Sequence, residues 1–205
     1  MSALASKYEF LVDTYRTEIV KVLSVWSEFD DFDLTVRPHA TDKRGRSPRE
    51  QMIHQCVSEN LWFSRMLGIS VTDSPLPKKE TRLEFMRTYA RDASRRLEHL
   101  AAKDDGWWEE EASFFDVKRT RAWIFCRRLT HTAHHRGQQT MLLRSLNRPL
   151  HSTYGPTADT GGLMQNSAPT IYAYPDLETL LNEESGARRK IPLPGPGGLP
   201  ATERP

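Results

Sequence analysis

The chain has 205 residues, 38% of them hydrophobic and 27% charged, enough for one domain with a substantial core. Its 29 Lys and Arg against 27 Asp and Glu leave a net charge of +2, so no overall field calls for nucleic acid or an anionic membrane. No run approaches the roughly 18 apolar residues of a membrane span, and "MSALASKYEFLVDTYR" lacks a secretion signal's basic-then-apolar pattern. Cys56 and Cys126 form neither a CxxC pair nor a disulfide framework, so the expected setting is the reducing cytoplasm.

Four helical patterns follow in chain order. The first, about residues 5–28, spaces Tyr8, Leu11, Val12, Tyr15, Ile19, Val22 and Trp26 three and four apart, one apolar stripe. A charged loop broken by Pro38 and Gly45 leads to "SPRE", where Ser47 caps, Pro48 opens the helix and Glu50 completes a capping box. That second helix runs to about Leu67, with Gly68 as its stop. The third begins at a second box, Thr81 to Glu84, and carries Leu83, Met86, Ala90, Ala93, Leu97 and Leu100 as a seam. "KDDGWWEEEASFFD" fits no pattern, and a fourth helix is expected from about Val117 to Leu146. Residues 1–150 therefore read as an all-α, up-down four-helix bundle. Residues 151–205 read as an irregular C-terminal extension with a short helix near 176–184 and a mobile Pro/Gly-rich tail.

The fourth helix contains "THTAHHRGQQ". His131 and His135 stand four apart and so share a face, with Gln138 on the same stripe and the apolar Ile124 and Leu142 on either side. That face should point into the bundle, where unpaired imidazoles cost on the order of a few kcal/mol. A divalent metal would satisfy both. An HxxxH pair alone is commonly packing, but His54 shares a face with Val57, Ser58 and Leu61 and should also look inward. Three histidines from two helices would leave coordination positions open, as catalytic sites do. His134 lies around the helix and suits packing or a hydrogen bond to a ligand better than ligation. A zinc peptidase is unlike this chain, because the HExxH position of the general base holds Thr132.

With "EQMIHQCVSENLWF" upstream, "LTHTAHHRGQQTMLLRSLNRP" resembles the DinB-like (damage-inducible) family of metal-binding four-helix bundles, over roughly residues 5–150. The family pattern is one histidine on the second helix and two, four apart, on the last; it falls on His54, His131 and His135. The resemblance implies metal chemistry on a small molecule, since relatives include S-transferases and isomerases that use a low-molecular-weight thiol. It also implies a homodimer, to which Trp123, Phe125, Leu129, Met141 and Leu143 around the fourth helix add support.

The remaining candidates are weaker. Cys56 and Cys126 are expected as small core residues, not ligands. The basic run at 118–121 reads as a solvated helix start, with Arg128 turned to the histidine face as partner for an anion or carboxylate. Tyr154 and Asp159 are candidates to fold back over the site beside His134, Gln138 and Arg128; Trp107 and Trp108 are core or loop anchors. The leading expectation is a metal-dependent enzyme, a thiol-dependent S-transferase, on Zn²⁺ or Ni²⁺, with Fe, Co or Mn also compatible with three histidines. The alternatives are a non-catalytic metal-binding bundle for structure or sensing, and a metal-hydroxide hydrolase.

Overall fold

A computed structural model describes residues 6–198. Four long helices carry the fold: α1 (Glu9–Ser27), α2 (Pro48–Met66), α3 (Arg82–Ala101) and, after a short α4 (Asp105–Glu109), α5 (Arg121–Ser145). They form the expected all-α bundle. The stripe on α1 is buried at Leu11, Val12, Tyr15, Ile19, Val22 and Trp26. The Ser47–Glu50 box on α2 closes in both directions, with Pro48 in the first turn. At its other end Gly68 takes φ +69°, a conformation that favours glycine, and Ile69 N–H turns back to the Phe63 carbonyl at 2.8 Å. The second box is half made. Thr81 caps the Glu84 N–H, but the Glu84 carboxylate pairs with Arg87 instead.

Contacts along the helices give their directions. Tyr15 meets Phe125 and Trp26 bonds Gln139, so α1 and α5 run parallel. Gln51 bonds Gln138 and Ser58 bonds Arg128, so α2 runs against α5. Arg49 pairs with Glu80 just before α3, while Arg96 bonds Asn60, so α2 and α3 run the same way. The order is up, down, down, up and not the expected up-down alternation, because residues 67–81 return along the bundle before α3 begins.

The unassigned segment forms α4 and a hairpin of β1 (Glu111–Phe114) with β2 (Val117–Thr120), in register Glu111 to Thr120 and Phe114 to Val117. This shortens the expected fourth helix: residues 117–120 are strand, and α5 starts one residue later, with Thr120 capping the Trp123 N–H. A basic run there pairs across the hairpin more readily than it opens a helix, because cations are disfavoured at the positive end of the macrodipole. The extension does hold its short helix, α6 (Leu177–Glu184), packed on α1 and α3. The expected tail is not free in its described part. Arg188 and Lys190 reach buried Glu184, each at 3.1 Å, and the carbonyl of Ser27 at the end of α1. Ile191 N–H bonds Ala173 O and Gly195 N–H bonds Asp159 O. Buried Glu184 and the end of α1 explain why "GARRK" is held; residues 199–205 of that expected tail lie outside the described residues.

At the centre sits a carboxylate. Glu59, on the α2 face with Met52, Cys56 and Phe63, is fully buried. It accepts hydrogen bonds from Tyr15 (2.6 Å) and Tyr89 (2.9 Å) and pairs with Arg96 (3.2 Å) and Arg128 (3.1 Å). Burial alone would raise its pKa, but the two guanidiniums and two phenols outweigh burial and hold it below the ordinary 4.5. Replacing Glu59 with Ala strands two buried cations and should cost about 3–5 kcal/mol, read as a lower urea midpoint at pH 7. A depressed carboxyl contributes stability that is complete above its unfolded pKa near 4.5 and is lost as pH falls through the folded value. The stabilities of the parent and Glu59→Gln should therefore converge in acid; curves that stay parallel from pH 7 to about pH 3 would remove Glu59 from this role.

Candidate metal centre

The i, i+4 spacing on α5 and the antiparallel run of α2 beside it bring His54, His131 and His135 to one point. Nε2 of His135 lies 3.0 Å from Nε2 of His54 and 3.2 Å from Nε2 of His131. One nitrogen from each ring can be chosen so that all lie within 4.8 Å of one another; no fourth His, Cys, Asp or Glu joins this cluster among the described residues. His135 is buried, and His54 and His131 are half-buried. His54 therefore sits on the flank of α2, where its expected neighbour Leu61 is 40% exposed, and not at the core centre held by Glu59. The site is a rim of the bundle, open on one side.

Two of the rings are set by their far nitrogens. Nδ1 of His135 faces the amide oxygens of Gln51 (3.1 Å) and Gln138 (3.0 Å), which keeps its proton on Nδ1 and the lone pair of Nε2 toward the cluster. Nδ1 of His131 lies 3.1 Å from Nη1 of Arg128. A guanidinium has no lone pair, so here Nδ1 accepts and the ring proton lies on Nε2, directed at His135; ligation through Nε2 requires that proton to move to Nδ1 and Arg128 to turn away from it. Trp62 stacks on His131, with centroids 5.7 Å apart and planes 20° from parallel. Burial above all, then Arg128, pushes the His131 pKa down to about 3; burial pushes His135 down to about 4 and lowers His54 as well. All three are neutral at physiological pH; His135 already turns a lone pair to the cluster, and His131 does so once its proton leaves Nε2. A cation that favours imidazole nitrogen fits this donor set.

The other sequence candidates separate. Gln138 holds His135 and passes a hydrogen bond from Nε2 to His134 Nε2 (3.0 Å), so exposed His134 is hydrogen-bonded to the cluster through that amide, and its ring packs edge-on against His135 at 5.1 Å. Arg128 is turned to the histidines as expected, and its carboxylate partner is Glu59. Tyr154 lies elsewhere, its ring over Lys21 (4.4 Å) and Arg136 (4.6 Å) on the α1 side. Asp159 is spent on Arg144 (2.5 Å) and the Leu150 N–H (2.7 Å) at the end of α5. Cys56 is buried as expected; Cys126 is exposed, because its position on α5 turns away from both neighbouring helices. Gln51, Glu59 and Trp62 are functional neighbours missed by sequence reasoning. Gln51 stands one turn before His54, and Glu59 falls on the buried spacing between Cys56 and Phe63; those offsets were the available signals.

A family model described as DinB family matches residues 7–162. The chain belongs to the DinB family. Two solved structures share the fold. A DinB-like protein from Bacillus cereus is 16% identical at a TM-score of 0.62, covering 71% of this chain and 97% of its own. One from Bacillus subtilis is 12% identical at 0.54, covering 69% and 94%. No curated protein matches. In this DinB chain His135→Ala should abolish stoichiometric binding of divalent metal while circular dichroism still reports a folded bundle. His134→Ala should retain metal, with at most a modest affinity loss through Gln138. Equal metal content in His135→Ala and the parent would overturn the ligand assignment; complete loss in His134→Ala would reassign the pair.

Proposed function

We propose that this protein is a metal-dependent enzyme of the cytoplasm, acting on a small molecule by transferring a low-molecular-weight thiol to an electrophile. The observation that carries the reading is the open cluster: three neutral imidazoles converge and no fourth protein ligand joins them among the described residues. His54, His131 and His135 would hold Zn²⁺ or Ni²⁺, with Fe, Co or Mn as other occupants. Such an ion, when bound, supplies a Lewis acid that lowers the pKa of a thiol or water. Neutral ligands leave its charge undiminished, which favours an anionic co-ligand such as a thiolate. Arg128 adds to this. Histidine ligands usually give their far N–H to a carboxylate or carbonyl, which strengthens them as donors. Beside His131 stands a guanidinium instead, which adds positive charge next to the site. Gln51 and Gln138 orient His135 without adding charge.

Support for a homodimer is narrower than the α5 pattern implied. Phe125, Leu129 and Leu143 are covered by the protein's own bundle, which leaves Trp123 and Met141 exposed for a second copy.

The thiol reading predicts a spectroscopic response. On adding a small thiol, the cobalt-substituted protein should gain a sulfur-to-metal charge-transfer band and release protons. A Cys56→Ala, Cys126→Ala double variant should respond like the parent, since burial raises the Cys56 thiol far above its usual range and Cys126 lies outside the cluster. If a range of physiological thiols leaves the spectrum unchanged while carboxylates perturb it, the transferase reading fails and hydrolysis becomes the better account. A cobalt spectrum that no added ligand perturbs would favour the non-catalytic bundle.

A further inference from the structure

Two unlike surfaces meet at the histidine cluster. On one side the α1–α2 loop forms a cleft of about 490 Å³ lined by His54 together with Lys43, Arg44 and Arg46. A neighbouring cleft of about 520 Å³ shares Arg44 and Arg46 and reaches Gln51 and Gln138, the two amides that hold His135. The acids nearby are already engaged. Asp42 pairs with Arg44 at 2.8 Å, and Glu50 is taken by Arg37 and by the Ser47 N–H at 2.9 Å. Arg46 and Lys43 have no acidic partner among the described residues, so their charge faces the cleft uncompensated.

On the other side the surface is aromatic. Trp62 stacks on His131 and packs edge-on against Phe114 (5.4 Å) and Phe115 (6.4 Å) of the hairpin. Phe115 is 72% exposed at the hairpin tip, with φ +54°, a conformation rare for a large side chain. An exposed, strained aromatic gains little for the core and is the kind of outlier that clusters at ligand sites. Arg46 lies in the loop just before α2 and lines the same cleft as His54, while Trp62 stacks on His131, so the two surfaces flank the cluster.

We propose that the ligand of this site is an amphipathic organic anion, its carboxylate or phosphate held by Arg46 and Lys43 and its apolar part laid against Trp62 and Phe115. This deepens the reading of the cluster as a reaction site, because the anion's middle then lies over the histidines. Two mobile cations recognise charge without fixing a geometry, so carboxylate and phosphate share the subsite and the experiment separates them. The aromatic wall selects against small anions, because an aromatic contact adds binding that acetate cannot gain.

Isothermal titration of the full chain, apo and zinc-loaded, tests this with 3-phenylpropionate, phenyl phosphate, acetate and neutral 3-phenylpropanamide. Both aromatic anions should bind at least about tenfold tighter than acetate and than the amide, and the tighter of the two names the head group. A Lys43→Ala, Arg46→Ala double variant should lose about tenfold for the anions at unchanged zinc content, and Phe115→Ala should narrow the preference over acetate. Equal affinity for 3-phenylpropanamide and 3-phenylpropionate, or full anion binding in the double variant, would overturn the proposal. If the parent takes up no zinc yet the apo chain shows the anion preference, the subsite stands and the metal reading fails. If zinc binds stoichiometrically and no anion preference exists in either form, the reverse holds.

Discussion

A buried carboxylate touched from every long helix governs this structure. Glu59 stands on α2 and is reached by Tyr15 from α1, Tyr89 and Arg96 from α3, and Arg128 from α5. Such a network adds little net stability over a well-packed apolar core, because desolvation offsets much of the attraction. Its effect is on alternatives. A slide of any helix by one turn strands a charge in the interior, at a cost of several kcal/mol, whereas apolar side chains tolerate repacking far better. Arg128 carries that constraint outward: one arm holds Glu59 and the other holds Ser58 and Nδ1 of His131. The histidine cluster is thereby registered to the centre of the bundle.

The cluster also differs from a common arrangement of histidine sites in what stands behind it. Amides and a guanidinium hold the far nitrogens of His135 and His131, where carboxylates frequently serve. The result is a set of neutral donors with no negative charge beside them, next to a loop whose Arg46 and Lys43 are unpaired among the described residues. Each feature favours an anion at the site, and none depends on another. Glu59 resolves the bundle's buried cations, its charge is consumed before it reaches the rim, and Arg128 alone belongs to both the buried network and the site.

The bundle and its three histidines were legible because helices write their period into the sequence. His131 and His135 share a face by arithmetic, and the Ser47–Glu50 box marks the start of α2 within a residue. The hairpin was not legible: four-residue strands are too short for alternation to show, and Val117–Thr120 abuts a helix whose pattern absorbs it. Helix direction was hidden too, since an apolar stripe is the same read up or down. Only pairings such as Trp26 with Gln139 separate the two. Tyr154 and Asp159 looked close to the site because they follow the histidine helix in the chain, yet Asp159 stays beside Arg144 near the end of α5 and Tyr154 packs over Arg136 on the α1 face. The fixed part of the tail depends on Glu184, whose need for Arg188 and Lys190 appears only once α6 is buried.

X-ray absorption at the edge of whatever divalent ion the full chain retains, purified without an immobilised-metal column, tests the central claim most directly. The account predicts one ion per chain, a shell of three nitrogens at about 2.0–2.1 Å, and the outer-shell scattering of three imidazoles. An all-oxygen shell, a sulfur from Cys126 or Cys56 in the purified protein, or no retained and no bindable ion would contradict it.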